Sequence, residues 1–229
     1  MMFTNSARIL SAIFSALVFC ALPLDARSVD PALDLRQKLD RGEIVVGLKN
    51  VGESKYVTGS VVINEPPEKV WPIVSNPFEF KGRISPRMKE VQMMVDKRER
   101  SVMRVEMDVI LIPHFNYVVE SLYDNAEHIE FHRLGGTLKD FRGTWEMTPL
   151  ENGRTELSYS MFIDPGFFVP QWLIREGVKS ELPHTLDAVR KRVMAVSHDH
   201  ERPEAQTIAA ASFIHHHHAN IATTAASYQ

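Results

Sequence analysis

The chain has 229 residues, 44% of them apolar and 24% charged, with a formal net charge of −3 and one cysteine. This is globular composition, and it excludes collagen-like, disulfide-scaffold and wholly disordered classes. The charge supplies no basic field for nucleic acid, so no nucleic-acid partner is expected, and one cysteine makes neither an internal disulfide nor a cysteine zinc site.

The N-terminus reads as a leader. Arg8 precedes the uncharged apolar run Ile9–Leu22, and Leu24-Asp25-Ala26 ends in a small residue. That layout predicts a signal peptide over 1–26, cleaved after Ala26, and a periplasmic or secreted mature protein. The apolar run is shorter than the roughly 20 residues that span a bilayer. Leu17-Val18-Phe19-Cys20 resembles a bacterial lipoprotein box, but Phe19 is bulky where a small residue is normal, so Cys20 reads as part of the leader. Residues 27–42 read as a linker and 43–196 as one folded domain.

From Glu43 the chain alternates apolar and polar residues with the period of half-buried strands. Glu43–Leu48 predicts the first. Val57, Gly59, Val61 and Ile63 form the apolar line of the second, with Thr58 and Ser60 opposite. Pro66-Pro67-Glu68-Lys69-Val70-Trp71 opens a short helix with proline in its first turn, which Asn76-Pro77 ends. Alternating runs follow at Val91–Val95, Met103–Val109, Phe115–Glu120, His128–His132, Phe141–Met147 and Leu157–Ile163. Asn125-Ala126, Gly135-Gly136 and Asn152-Gly153 read as tight hairpin turns.

Asp164-Pro165-Gly166 precedes the longest helical stretch, Pro170–Val196. Leu182, Leu186, Val189, Val193 and Val196 trace its apolar stripe, and Pro183 is expected to kink or divide it. Arg190, Lys191 and Arg192 lie off the stripe and read as a solvated helix end. From Ser197 to the end (197–229) the chain is rich in Ala, Thr and His without core periodicity, which predicts a flexible tail. His215–His218 lack the fixed geometry of a dedicated metal site. Together these elements predict an α+β helix-grip. A curved antiparallel sheet of six to seven strands wraps a long C-terminal helix, with a short helix pair after the first main strand.

The order of these segments resembles the START-type helix-grip superfamily, and most nearly its polyketide cyclase and coenzyme Q-binding subgroup. The residues that carry the resemblance are GEIVV (Gly42–Val46), VVINEPPEKVWPIVSNPFEF (Val61–Phe80), FRGTWEMTPLENGRTELSYSMFIDPG (Phe141–Gly166) and WLIREGVKSELPHTLDAVRKRV (Trp172–Val193). The resemblance implies an apolar cavity between sheet and C-terminal helix, used for lipids, quinones, polyketides or hormones. It implies no universal catalytic residue.

The inward register places Met93, Met103, Met107, Phe115, Tyr117, Phe131, Trp145, Met147, Tyr159 and Met161 on the face such a cavity would use. Methionine adapts to irregular apolar ligands. Phe78, Phe80, Ile84 and Met88 are expected at the entrance, opposite Phe167, Phe168 and Trp172. Exposed aromatics there would suit transient membrane contact during loading. The expected partner is a hydrophobic small molecule, such as a lipid, isoprenoid or quinone-like compound, held by a monomeric carrier.

Two alternatives stay open. The first is a cyclase or dehydratase that uses His114 or Asp140, polar residues at strand ends, for proton transfer. The second is a protein-interaction module. Glu106 and Asp108 lie in the outward register and read as solvated sheet surface, while His128 and His132 point the same way as Glu130 and form a metal-cluster candidate of low specificity. With no Gly-rich phosphate loop, HExxH or serine elbow in the sequence, no cofactor and no metal are expected.

Overall fold

The structure is a computed structural model that describes residues 30–109, 114–166 and 168–225, with side chains up to Asp199. The leader expected over 1–26, with Cys20, and the entrance residue Phe167 lie outside the described residues.

The first described element is a helix, α1 (Pro31–Asp40), where the sequence suggests a linker. The Asp30 carboxylate caps it by accepting from the Ala32 N–H at 2.9 Å, Pro31 occupies its first turn, and Lys38 pairs with Asp34 at 2.7 Å. Of its apolar side chains, Leu39 is buried while Leu33 and Leu35 are exposed. No apolar stripe therefore marks it in the sequence.

Eight strands follow: β1 (Val45–Val51), β2 (Ser54–Ile63), β3 (Met88–Lys97), β4 (Arg100–Met107), β5 (Asn116–Asp124), β6 (His128–Gly136), β7 (Asp140–Leu150) and β8 (Arg154–Asp164). Between β2 and β3 lies the expected helix pair, α2 (Pro67–Val74) and α3 (Pro77–Phe80). The strands form one antiparallel sheet in the order β1-β2-β8-β7-β6-β5-β4-β3. β3 to β8 make a meander, and the β1–β2 hairpin joins its far side through β2 and β8. The sheet exceeds the expected six to seven strands because β1 pairs with β2 along its whole length and extends the same ladder.

Gly135-Gly136 does not form a turn. Both residues stay in β6, opposite Val118 and Tyr117 of β5, and the chain reverses over Thr137–Lys139 instead. Their ladder with β5 outweighs the local preference of the glycine pair for a turn.

The C-terminal helix, α4, spans Gln171–Ala225. It is not interrupted at Pro183, where a kink or break is expected. Leu182 and Leu186 on either side are at most 1% exposed, and this packing offsets the backbone hydrogen bond that proline removes. Helix also continues through the segment from Ser197 that composition sets apart as a loose tail; its alanines favour helix and it contains no glycine.

Leu182, Leu186, Val189 and Val193 form the buried stripe of α4. It lies on β2, β1 and β8, and α2 packs beside it. Gly59 permits this approach. A Cβ there would stand 2.8 Å from both Leu182 Cδ2 and Leu186 Cδ1. α4 therefore grips one half of the sheet and leaves the apolar face of the other half to a different cover.

Candidate functional site

On that other half, the inward residues of β4 to β8 enclose a cavity of about 340 Å³. The volume lies near the lower end of the roughly 300–1,000 Å³ range of small-molecule sites. Val74 and Ser75 at the end of α2, Pro77 and Phe80 of α3, and Ser85 and Met88 beyond it close one side. α4 contributes Thr185. The cavity is thus walled mainly by sheet and by the α2–α3 segment. The expected wall between sheet and C-terminal helix is a smaller part of it, because α4 sits over β1, β2 and β8.

Eight of the ten expected cavity residues line this space: Met103, Met107, Phe115, Tyr117, Phe131, Trp145, Tyr159 and Met161. Met93 and Met147 do not. Met93 lies on the edge strand β3, paired with Met103 next to a register shift, and is left half-buried. Met147 is 2% exposed and packs in the solid core near Leu157. Residues outside those ten complete the wall: Val105, Val119, Ile129 and Phe141 lie on the apolar lines of the period-two reading, whereas Ser121, Tyr123 and Leu138 were not singled out by it. Phe141 was legible as inward-facing; the depth of the pocket at each strand position was not.

Of the expected entrance, Phe80 and Met88 belong to the wall. Ile84 is buried at 4% exposure and is part of the core instead. Phe78, Phe168 and Trp172 are exposed and do not line the cavity. Phe115 just before β5, Tyr117 at its start, the ends of β4 and β8 (Met107, Ile163) and Met88 place the wall toward one end of the sheet. There the Met107 N–H donates to the Phe115 carbonyl at 2.9 Å and closes the β4–β5 connection.

The rings make a continuous chain through the wall. Phe80 meets Trp145 edge-on at 5.9 Å, and Trp145 stacks on Tyr159 at 3.7 Å and 5°. Phe131 joins Tyr159 to Phe141, which meets Tyr117 at 5.2 Å. Gly143 makes room for this chain. A Cβ there would lie 2.6 Å from Phe131 Cζ and 2.0 Å from the Ser160 carbonyl oxygen. Rings offer large apolar area at little entropic cost, so such a wall suits an apolar guest.

The polar side-chain groups of the described wall are hydroxyls and the Trp145 indole N–H, and no acidic or basic side chain lines it. Tyr123 shares a hydrogen bond with Ser101 at 2.6 Å, Ser75 donates to the Trp71 carbonyl at 2.7 Å, and Thr185 donates to the Glu181 carbonyl at 3.3 Å. Burial pushes the Tyr117 and Tyr159 phenols well above the ordinary tyrosine range, and the neighbouring Tyr117 adds to the shift of Tyr159. Both stay protonated at neutral pH.

The segment beside the cavity is tied to α4 by ions. Glu79 of α3 accepts from Arg192 Nε at 2.6 Å and Nη2 at 3.1 Å, and from Arg83 at 3.1 Å. The Arg192 hydrogen bonds hold the Glu79 carboxyl below the usual carboxylate range. Arg87 reaches Glu181 of α4 at 3.3 Å. Arg192, expected on a solvated helix end, is a link between elements.

The proton-transfer candidates lie elsewhere. The His114 side chain is exposed, with φ 55°, and Asp140 pairs with Arg142 at 3.5 Å; neither lines the cavity. Arg142 itself lies over the rings of Phe162 and Tyr56, at 5.0 and 6.0 Å from their centroids. His132 pairs with Glu120 at 2.9 Å. Among the described residues no three acidic, histidine or cysteine side chains gather closely enough to hold a metal ion, and no helix is long and apolar enough to cross a membrane.

Comparison with curated proteins gives no significant match. Solved structures share the fold at low identity. A STAR-related lipid transfer protein from Xanthomonas axonopodis is 18% identical with a TM-score of 0.55, over 66% of this chain and 93% of that one. The Zhui aromatase/cyclase from Streptomyces sp. R1128 is 18% identical with a TM-score of 0.53, over 61% and 93%. Human StAR-related lipid transfer protein 5 is 15% identical with a TM-score of 0.53, over 67% and 83%. A family model described as polyketide cyclase / dehydrase and lipid transport matches residues 55–194, from β2 to the buried part of α4, and the chain belongs to that family.

Proposed function

We propose that this protein is an exported carrier that holds a hydrophobic small molecule in the aromatic-lined cavity. The observation that carries this reading is a cavity of about 340 Å³ whose described wall is apolar except for hydroxyls and one indole N–H. Burying ten methylenes of a guest yields about 8 kcal/mol, against an association cost of roughly 4–15 kcal/mol. Ten methylenes alone therefore leave at most about 4 kcal/mol, near millimolar affinity. Contacts with the aromatic wall add to this and give the weak, exchangeable binding that a carrier requires. The family description names lipid transport, which supports the same class of cargo. Each chain contributes a whole wall, so a monomer suffices.

Export rests on the leader sequence, and a water-insoluble cargo needs a container in an aqueous compartment. Loading takes place at a membrane in this reading. Phe168, 99% exposed, Trp172, 60% exposed, and Leu173, 50% exposed, cluster in sequence at the start of α4 and suit a lipid interface. The cyclase alternative draws on the family description and the Zhui relative, yet His114 and Asp140 stand outside the wall.

The test is to isolate the protein from its native compartment, extract it with organic solvent and identify what co-purifies by mass spectrometry. A stoichiometric, unmodified hydrophobic compound supports the carrier. Conversion of that compound on incubation with fresh protein would move the reading to an enzyme.

A further inference from the structure

Tyr117 and Tyr159 differ from the phenylalanines of the wall by one atom each, and from the third tyrosine, Tyr123, in that its hydroxyl is already paired with Ser101. Both side chains belong to residues only 8% exposed, and both line the cavity. Neither hydroxyl hydrogen-bonds to any described residue, and neither is sealed in by packing as the unpaired Nε atoms of Arg133 and Arg142 are. The space left to each oxygen is therefore cavity. The neighbouring Phe131 and Phe141 show that phenylalanine fills this wall equally well, so packing does not call for the hydroxyls. Most buried polar groups are paired, and an unpaired one costs free energy until something supplies a partner.

We propose that the cargo is uncharged and carries an acceptor oxygen, and that Tyr117 and Tyr159 are its hydrogen-bond donors. This deepens the carrier reading and rests on the cavity being the ligand site. Burial keeps both phenols protonated and able to donate. The described wall has no Lys, Arg or His to neutralise a carboxylate or phosphate, and an unpaired buried charge is far costlier than a neutral oxygen. Ser85 and Ser121 are the remaining wall hydroxyls with no hydrogen-bond partner among the described residues, and either can serve a second oxygen of the cargo. The substrate class is thus a neutral ketone, quinone, ester or alcohol, in preference to an ionised fatty acid.

Three probes with one ring system separate the possibilities: 2-ethylnaphthalene, 2-acetylnaphthalene and 2-naphthoate at pH 8, each titrated calorimetrically into the full-length protein. The acetyl compound should bind about 2- to 12-fold more tightly than the ethyl compound, the worth of one neutral hydrogen bond. Naphthoate should bind most weakly. Tyr117→Phe and Tyr159→Phe together should abolish the preference for acetyl while leaving ethyl affinity unchanged. Without ligand, each variant should melt at or above the wild-type temperature. Equal affinity for acetyl and ethyl in the wild type, a preference that survives both substitutions, tightest binding of naphthoate, or a lowered melting temperature of the ligand-free variants would each overturn the assignment. Met107→Trp, which fills the cavity, keeps the two levels apart. If it blocks 2-ethylnaphthalene but acetyl has no advantage, only the donor assignment falls. If no probe binds, or binding survives Met107→Trp, the cavity reading fails and takes the donors with it.

Discussion

Replacing Glu79 by Gln neutralises the carboxylate that ties α3 to α4 beside the cavity. In the wild type its two oxygens accept from Arg192 at 2.6 and 3.1 Å, in the fork geometry that favours arginine, and Oε2 also accepts from Arg83 at 3.1 Å. The Glu79 side chain is 14% exposed and that of Arg192 29%, so the pair is partly shielded but still screened by water. Hydrogen bonds to a charged group contribute about 1.5–3 kcal/mol against 0.5–1.5 for neutral ones. Glutamine keeps one acceptor, so after screening the expected loss is about 1–2 kcal/mol. For a domain of this size that lowers the melting temperature by about 2–8 °C. Arg192→Leu should lose a similar amount, and the double variant little more, because one interaction is being removed twice. The pH dependence has a definite sign. The folded pKa of Glu79 is lowered, so its stabilisation is present above the unfolded carboxylate pKa and is lost as pH falls through the folded value. Wild type and Glu79→Gln should therefore differ at pH 7 and converge in strong acid. Melting followed by circular dichroism from pH 7 to pH 2 measures this. A difference under 1 °C at pH 7, or one that does not shrink in acid, would refute the assignment.

Other consequences are equally direct. Gly59→Val should push α4 off β2, since even a Cβ at that position stands 2.8 Å from the Leu182 and Leu186 methyls; overpacking of this kind costs about 1–3 kcal/mol, read from urea midpoints. Trp145→Ala should lose about 3–5 kcal/mol of stability as well as ligand, because its indole stacks on Tyr159 inside the wall. Phe168→Ser with Trp172→Ser should slow vesicle-to-vesicle transfer of cargo while affinity in solution stays unchanged; equal transfer rates would remove the membrane-contact surface. Intact mass of the protein from its native host should begin at Arg27, and a mass that retains residues 1–26 would exclude the cleaved leader.

The strand pattern was readable because each inward residue has an outward neighbour, and a sheet with one covered face needs that alternation. The grip of α4 was likewise written in the Leu182–Val193 stripe. Two things were hidden. The α1 helix carries one buried leucine, so its burial leaves no periodic trace. The boundary between cavity wall and solid core depends on where α4 ends its coverage, which is a tertiary property. Met147 and Met107 look alike in sequence, yet one packs in the core and the other faces open space. Glu79 and Arg192 lie far apart in the chain, and nothing local announces that they meet.

That contrast among methionines supplies the most direct test of the cavity as the ligand site. With ¹³C-methyl-labelled methionine, the native cargo or 2-acetylnaphthalene is titrated into the protein and each methyl resonance is followed by NMR. Met103, Met107 and Met161 should shift together and saturate with one ligand per chain, while Met147 in the core and the exposed Met94 stay in place. Shifts at Met94 with none at Met103, Met107 and Met161 would contradict the central claim, because the ligand would then be bound outside the cavity.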